Sequence, residues 1–173
     1  MEQKCKNIDC NQPDINVDSL WLISERDKQG KHKNIYHGNF IPQIPNQLIR
    51  RYTDVGEIVL ALFSGSGTTL FECETLKRNY IGFDINTSII DYVNNKMKDC
   101  VDIAYAIKNV DVTNTEEFSS SLEGWMNEIN KEQVDFMIAH PPYLDIVKFT
   151  NDKRDLSSIT DSDVFLGKLM TAI

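Results

Sequence analysis

The chain lacks the features that mark membrane, secreted or uniformly phosphate-binding proteins. No apolar run in its 173 residues approaches the roughly 18 to 20 residues that a helix needs to cross a bilayer. The first residues, MEQKCKNIDCNQPD, contain no apolar segment, so they do not read as a secretory signal, and a cytoplasmic protein is expected. Cysteine is scarce, with only Cys5, Cys10, Cys73 and Cys100. Cys5 and Cys10 could form half of a metal site, but the other two do not stand at ligand spacing. Reduced thiols and no metal are therefore expected. Positive charge is also in short supply, with 18 Lys and Arg against 26 Asp and Glu, for a net charge of −8. A surface of that sign does not grip phosphates as a whole. A nucleic-acid partner would need a local basic patch, or a second chain that supplies one. The single dense basic stretch is RDKQGKHK, residues 26–33, which reads as either a solvated loop or a phosphate contact.

The length suits one domain with one core. Residues 1–35 read as an irregular lead-in followed by the basic loop, and residues 36–173 as the folded core. SLWLISE (19–25) is a short strand candidate. Proline at 42 and 45 makes the preceding backbone extended, and IPNQLIRRY then reads as a helix opened near Pro45. GEIVLALF (56–63) is a nearly continuous apolar run, the pattern of a strand buried on both faces. GTTLFECETLKRN (67–79) is helical, YIGFDI (80–85) a strand, and TSIIDYVNNKMKDC (87–100) a helix capped by Thr87 or Ser88. A strand within 103–114 ending near Asp111, a helix over 115–130 and a strand over 134–140 follow. This alternation predicts an α/β protein, a mostly parallel sheet covered by helices on both faces.

The chemistry gathers at two places. The first is the turn Phe63-Ser64-Gly65-Ser66-Gly67-Thr68, which leaves a buried strand and opens a helix; Asp84 ends the next strand, 17 residues beyond Gly67. Glycine there lets backbone approach a ligand closely, and an acid in that place can accept both hydroxyls of a ribose. No lysine follows Gly67, which argues against a triphosphate loop. Leu70 stands where a dinucleotide fingerprint has its third glycine. A nucleoside without a pyrophosphate fits better, and S-adenosylmethionine is the obvious one. The second place is His140-Pro141-Pro142-Tyr143, where two prolines end the last strand and set a rigid turn.

LFSGSGTTLFECETLKRNYIGFDIN and the preceding HGNFIPQIPNQLIRRYT resemble the cofactor-binding region of the DNA methyltransferases that modify adenine N6 or cytosine N4. The resemblance covers about residues 36 to 150. It implies a Rossmann-like methyltransferase fold and a site for S-adenosylmethionine built from His37, Phe40, Phe63, Ser64, Gly65, Ser66, Gly67, Thr68, Asp84, Ile85, Asp111 and Val112. In it Asp84 would hold the ribose and Asp111 would lie near the adenine ring. Where the family has Asp-Pro before the phenylalanine, this chain has Ala61-Leu62. His140, Pro141, Pro142 and Tyr143 stand where the family carries its catalytic motif, which begins with Asp, Asn or Ser.

In that motif the first side chain and the first proline's carbonyl accept hydrogen bonds from an exocyclic amino group, and the aromatic stacks on the extruded base. A neutral histidine can accept through one ring nitrogen; protonated, it cannot. Activity is therefore expected to fall below about pH 6.5, the ordinary histidine value. The segment after Tyr143 reads as a substrate-side loop, with Lys148, Lys153 and Arg154 as candidate contacts to DNA phosphates. His140 stands only 29 residues beyond Asp111, an interval too short for a target-recognition domain. The core is thus expected to be truncated after the catalytic motif. A homodimer, or a second chain that completes the sheet and supplies target recognition, is expected beside double-stranded DNA. The expected activity is methylation of adenine N6 or cytosine N4 in DNA, as in a restriction–modification system. An RNA or protein amino-methyltransferase, or a non-catalytic methyltransferase-like subunit, is the alternative.

Overall fold

A computed structural model describes residues 15, 16, 18–33, 38, 39 and 41–172. The order of elements is α1 (Gln43–Tyr52), β1 (Ile58–Ala61), α2 (Thr68–Leu76), β2 (Asn79–Asp84), α3 (Thr87–Met97), β3 (Tyr105–Asn109), α4 (Thr115–Glu128), β4 (Phe136–Ile138) and α5 (Ser162–Ala172). The strands form one parallel sheet in the order β3-β2-β1-β4. From β1 the chain steps outward through β2 to β3, then returns to place β4 on the other side of β1. The reversal opens a crevice beyond the carboxyl ends of β1 and β4, where open α/β sheets bind their ligands.

The continuous apolar run of β1 is explained by two cores, one on each face. Val59 and Ala61 face a cluster with Ile49, Leu70, Phe71, Tyr80, Val93 and Met97, drawn from α1, α2, β2 and α3. Ile58, Leu60 and Leu62 face the opposite cluster, with Ile81, Phe83, Val110, Trp125 and Ala172. Successive side chains of a strand point to opposite faces, so a strand covered on both sides must be apolar throughout.

Three local expectations are corrected. SLWLISE forms no strand: Leu20 and Leu22 are 69 % and 87 % exposed, no strand among the described residues pairs with it, and the Trp21 indole N–H donates to Asp18 O at 2.8 Å. Apolar alternation alone does not make a strand where no sheet edge accepts it. Helix α1 opens two residues before Pro45, with Pro42 at its N-cap. Both prolines fit there because the N–H groups of the first turn have no helical partner anyway. Helix α3 is capped by Asn86, whose side chain accepts from Ile89 N at 3.3 Å, so Thr87 becomes its first residue. The pair Cys5 and Cys10 lies outside the described residues. Cys73 and Cys100 are free thiols, and no metal-ligand cluster occurs among the described residues.

The basic loop is partly turned inward. Lys31 pairs with Glu74, and His32 pairs with Glu72 at 2.7 Å, both of its partners' side chains lying on α2. Asn46 on α1 also donates to Glu72, at 2.7 Å. These contacts lash the loop and α1 to the helix that leaves the glycine turn.

Gly82 on β2 ties fold to site. A Cβ there would lie 2.8 Å from Cε1 and Cζ of Tyr80, whose fully buried hydroxyl pairs with Ser64 Oγ at 2.8 Å inside the glycine turn. Gly82→Ala must push Tyr80 off Ser64. It is expected to destabilise the protein by about 2–4 kcal/mol through overpacking and a lost buried hydrogen bond. Urea denaturation measures this, and an unchanged midpoint would show that the ring can move freely.

Candidate functional site

A pocket opens at the carboxyl edge of the sheet, at the β1–β4 reversal. Its lining includes Phe63, Ser64, Gly65, Ser66, Thr68, Asp84, Ile85, Asp111, Val112, His140, Pro141, Pro142, Tyr143 and Arg154. Of the residues expected at the site, these are brought together from the ends of all four strands. Gly67 stands behind them as the N-cap of α2. Lys148 and Lys153 are exposed and outside the lining. His37 and Phe40 lie outside the described residues.

The glycine turn takes the backbone through the left-handed region, with φ of 50° at Gly65 and 83° at Gly67, a conformation that side chains rarely tolerate. At Gly67 a Cβ would also meet Val93 Cγ1 at 2.8 Å and Phe71 Cζ at 3.1 Å. The turn is thus held close to α3, with its backbone facing the pocket. Asp84 fixes it from the neighbouring strand: Oδ2 accepts Gly65 N at 2.7 Å and Oδ1 accepts Asn86 N at 2.9 Å. Burial pushes the Asp84 carboxyl above the usual carboxylate range, while the N–H groups of Asn86 and Gly65 oppose that shift and nearby Asp155 adds to it.

The residues present suit a nucleoside. Each Asp84 oxygen has a second lone pair beyond its backbone bond, which is what a ribose diol needs. Phe63, Ile85 and Val112 supply apolar wall beside it. Asp111 sits two residues past β3, its Oδ1 accepting the N–H and hydroxyl of Thr113 at 2.9 and 2.8 Å.

His140 stands across the pocket from the glycine turn, after β4. Its Nε2 lies 2.7 Å from Tyr143 Oη, and the rings meet edge to face at 5.5 Å. With Nε2–H donating to the hydroxyl, Nδ1 carries the acceptor lone pair. Burial lowers the His140 pKa from the ordinary histidine value, so the ring is neutral at neutral pH. Tyr143 is 59 % exposed, a large aromatic face open at the pocket mouth. Ala61 is buried in the core on one face of the sheet, so no acid occupies the position before the turn.

Several pocket residues escaped sequence reasoning. Asn39, Phe149, Thr150, Asp155 and Leu156 all line it. Asn39 Nδ2 donates to Ser66 Oγ at 2.9 Å, tying the segment before α1 to the glycine turn. The other four come from the segment after Tyr143, which folds back over the pocket. The sequence marks that segment as a loop beyond Tyr143, but its spacing from the His140–Tyr143 turn does not reveal the direction in which it folds.

Known proteins share parts of this chain. The DNA methylase family model matches residues 1–95, more than half of it. The Type II methyltransferase M.MjaII of Methanocaldococcus jannaschii is 40 % identical over 67 residues, covering 38 % of this chain and 13 % of that protein. The tRNA (guanine(10)-N2)-dimethyltransferase of the same organism is 26 % identical over 155 residues, covering 79 % of this chain and 42 % of that protein. The chain therefore spans less than half the length of either relative. The crystal structure of TrmN from Thermus thermophilus resembles it at 21 % identity and a TM-score of 0.45, over 62 % of this chain and 30 % of that one. By the family match, seated on a parallel sheet of Rossmann-like type, the chain belongs to the DNA methylase family, whose methyl donor is S-adenosylmethionine.

Proposed function

We propose that this chain forms the cofactor-binding and catalytic half of a methyltransferase that modifies the exocyclic amino group of adenine (N6) or cytosine (N4) in double-stranded DNA. The observation that carries this reading is the shared pocket. The glycine turn, Asp84 and the His140–Tyr143 turn reach one crevice from adjacent strand ends. In this reading Asp84 accepts the ribose hydroxyls, Asp111 supplies a carboxylate at the adenine end, and Phe63, Ile85 and Val112 wall the base. Backbone of Ser64, Gly65, Ser66, Gly67 and Thr68 lies against the rest, and His37 and Phe40 belong to the methionine end.

S-adenosylmethionine supplies an electrophilic methyl on a sulfonium. The chain's task is to make a poor nucleophile attack it. The lone pair of an exocyclic amino nitrogen is delocalised into its ring. Two acceptors, His140 Nδ1 and the Pro141 carbonyl, aimed at the amino hydrogens favour a more tetrahedral nitrogen with its lone pair directed outward. Tyr143 stacks on the extruded base and Pro142 keeps the turn rigid. A neutral His140 places no cation against the sulfonium.

The chain's negative charge and exposed Lys148 and Lys153 suit a division of labour in which a second copy or another chain completes the sheet, supplies target recognition and brings most of the phosphate contacts. Among the described residues β4 is an edge strand, whose outer backbone could take such an addition. A cytoplasmic restriction–modification setting fits the Type II methyltransferases among its relatives, and no helix among the described residues is long and apolar enough to cross a membrane.

A second reading, an RNA amino-methyltransferase, is favoured by the broad match to the tRNA dimethyltransferase. Incubation with methyl-labelled cofactor separates the two. Label is expected in duplex DNA and recovered there as methylated adenine or cytosine. Label in tRNA alone would establish the second reading. No transfer to either by a chain that binds cofactor would mark a non-catalytic subunit.

A further inference from the structure

The segment after the catalytic motif is expected from sequence to face DNA, with Arg154 as a phosphate contact. Its fold points elsewhere. Asp155 is buried, and its carboxylate gathers the segment around itself. Oδ2 accepts the Thr150 N–H and hydroxyl at 2.7 and 2.9 Å, while Oδ1 accepts the Ser157 N–H and hydroxyl at 2.8 and 2.6 Å. A segment closed on a buried carboxylate in this way holds its neighbour Arg154 in a fixed place.

That place is the rim of the pocket, above the ends of β2 and β3. Arg154 Nη2 donates to Asn109 Oδ1 at 3.0 Å, and Asn109 Nδ2 donates in turn to Ile85 O at 2.8 Å and to Thr87 Oγ1 at 3.3 Å. The guanidinium is therefore linked through one side chain to the residue expected to wall the adenine. Asp152 grips it from the other side, at 3.1 and 3.2 Å from Nε and 2.8 Å from Nη2. Its pKa is raised first by the hydrogen bond to Asp152 and further by the charges of Asp152, Asp111 and Glu117, while the same hydrogen bond holds Asp152 down at about 2. The pair stays ionised at every pH of interest.

Two consequences follow. The positive charge is already answered by carboxylates, which leaves little for a DNA phosphate. Nη1 donates to no protein group among the described residues, and a guanidinium is planar, with donors suited to the ring-nitrogen acceptors and the face of a purine. We propose that Arg154 is a specificity residue of the cofactor pocket, closing its adenine end from the segment that follows the catalytic motif, and is not a contact to DNA phosphate. This rests on reading the pocket as the S-adenosylmethionine site.

The test measures two affinities on the full chain. Calorimetry gives the Kd for S-adenosylmethionine, and the slope of log affinity against log salt reports phosphate contacts to duplex DNA. Arg154→Ala is expected to weaken cofactor binding about three- to tenfold, the range of a guanidinium on an aromatic ring, and to leave the DNA salt slope unchanged. Arg154→Lys, which keeps the charge but loses the planar fork, is expected to weaken the cofactor comparably. Circular dichroism checks that both variants fold, and the lysine variant carries the test if the alanine variant does not. Cofactor affinity equal to wild type, with a salt slope reduced by about one, overturns the proposal and restores the phosphate contact. A folded wild-type chain that does not bind the cofactor removes the reading of the pocket instead.

Discussion

Replacing Asp84 with alanine is expected to weaken S-adenosylmethionine binding by about a hundredfold or more. Two effects combine. In the proposed role the carboxylate would accept both ribose hydroxyls, two hydrogen bonds to a charged group that each contribute about 1.5–3 kcal/mol, and every 1.4 kcal/mol is tenfold in affinity. The same carboxylate holds Gly65 N and Asn86 N, so alanine also releases the glycine turn and the cap of α3. Thermal unfolding with and without cofactor separates the two. Loss of structural bonds lowers the melting temperature of the free chain, whereas loss of the ribose contacts removes the rise produced by saturating ligand. A variant that melts lower but keeps the full ligand-induced rise would make Asp84 structural only. Asp84→Asn, which keeps an acceptor for the turn, is expected to retain more of the free-chain stability than of the affinity.

His140→Ala is expected to lower kcat by about a hundred- to a thousandfold, the scale of removing one oriented hydrogen-bonding group at a reacting centre, with cofactor Kd unchanged. The pH profile sharpens the test. Burial lowers the His140 pKa, so the ring is neutral above that depressed value and protonated below it. Only the neutral ring accepts from an amino group. Activity should therefore fall at a lower pH than an ordinary histidine would dictate, which moves the expectation from sequence downward. His140→Asn, an acceptor that does not titrate in this range, should recover part of the activity and abolish the acidic fall. An asparagine variant that keeps the same acidic limb would assign that limb to another group.

Much of the fold is legible in the residues, for specific reasons. β1 and β2 announce themselves because burial on both faces demands continuous apolar residues, and Gly65, Gly67 and Asp84 stand out because a backbone approach and a strand-end acid leave few other residue types possible. His140-Pro141-Pro142-Tyr143 is legible because proline ends a strand unambiguously. The failures share a cause as well. SLWLISE has the composition of a strand, but pairing depends on whether a sheet edge is offered, which no local pattern records. The inward turn of Lys31 and His32 onto Glu74 and Glu72, the Asn39–Ser66 contact and the fold-back of Phe149 to Leu156 depend on contacts between segments distant in sequence. Arg154 reads from sequence as a phosphate contact in the loop beyond Tyr143, and its bonds to Asp152 and Asn109 set it at the pocket rim.

The proposed function requires that the pocket shared by the glycine turn, Asp84 and the His140–Tyr143 turn hold the cofactor with Ala61, and no acid, before the turn. Titration of S-adenosylmethionine into the folded chain tests it most directly. Saturable one-to-one binding is expected, with a dissociation constant on the order of micromolar, about −8 kcal/mol. A chain with an intact circular dichroism spectrum and no heat of binding at millimolar cofactor would contradict it.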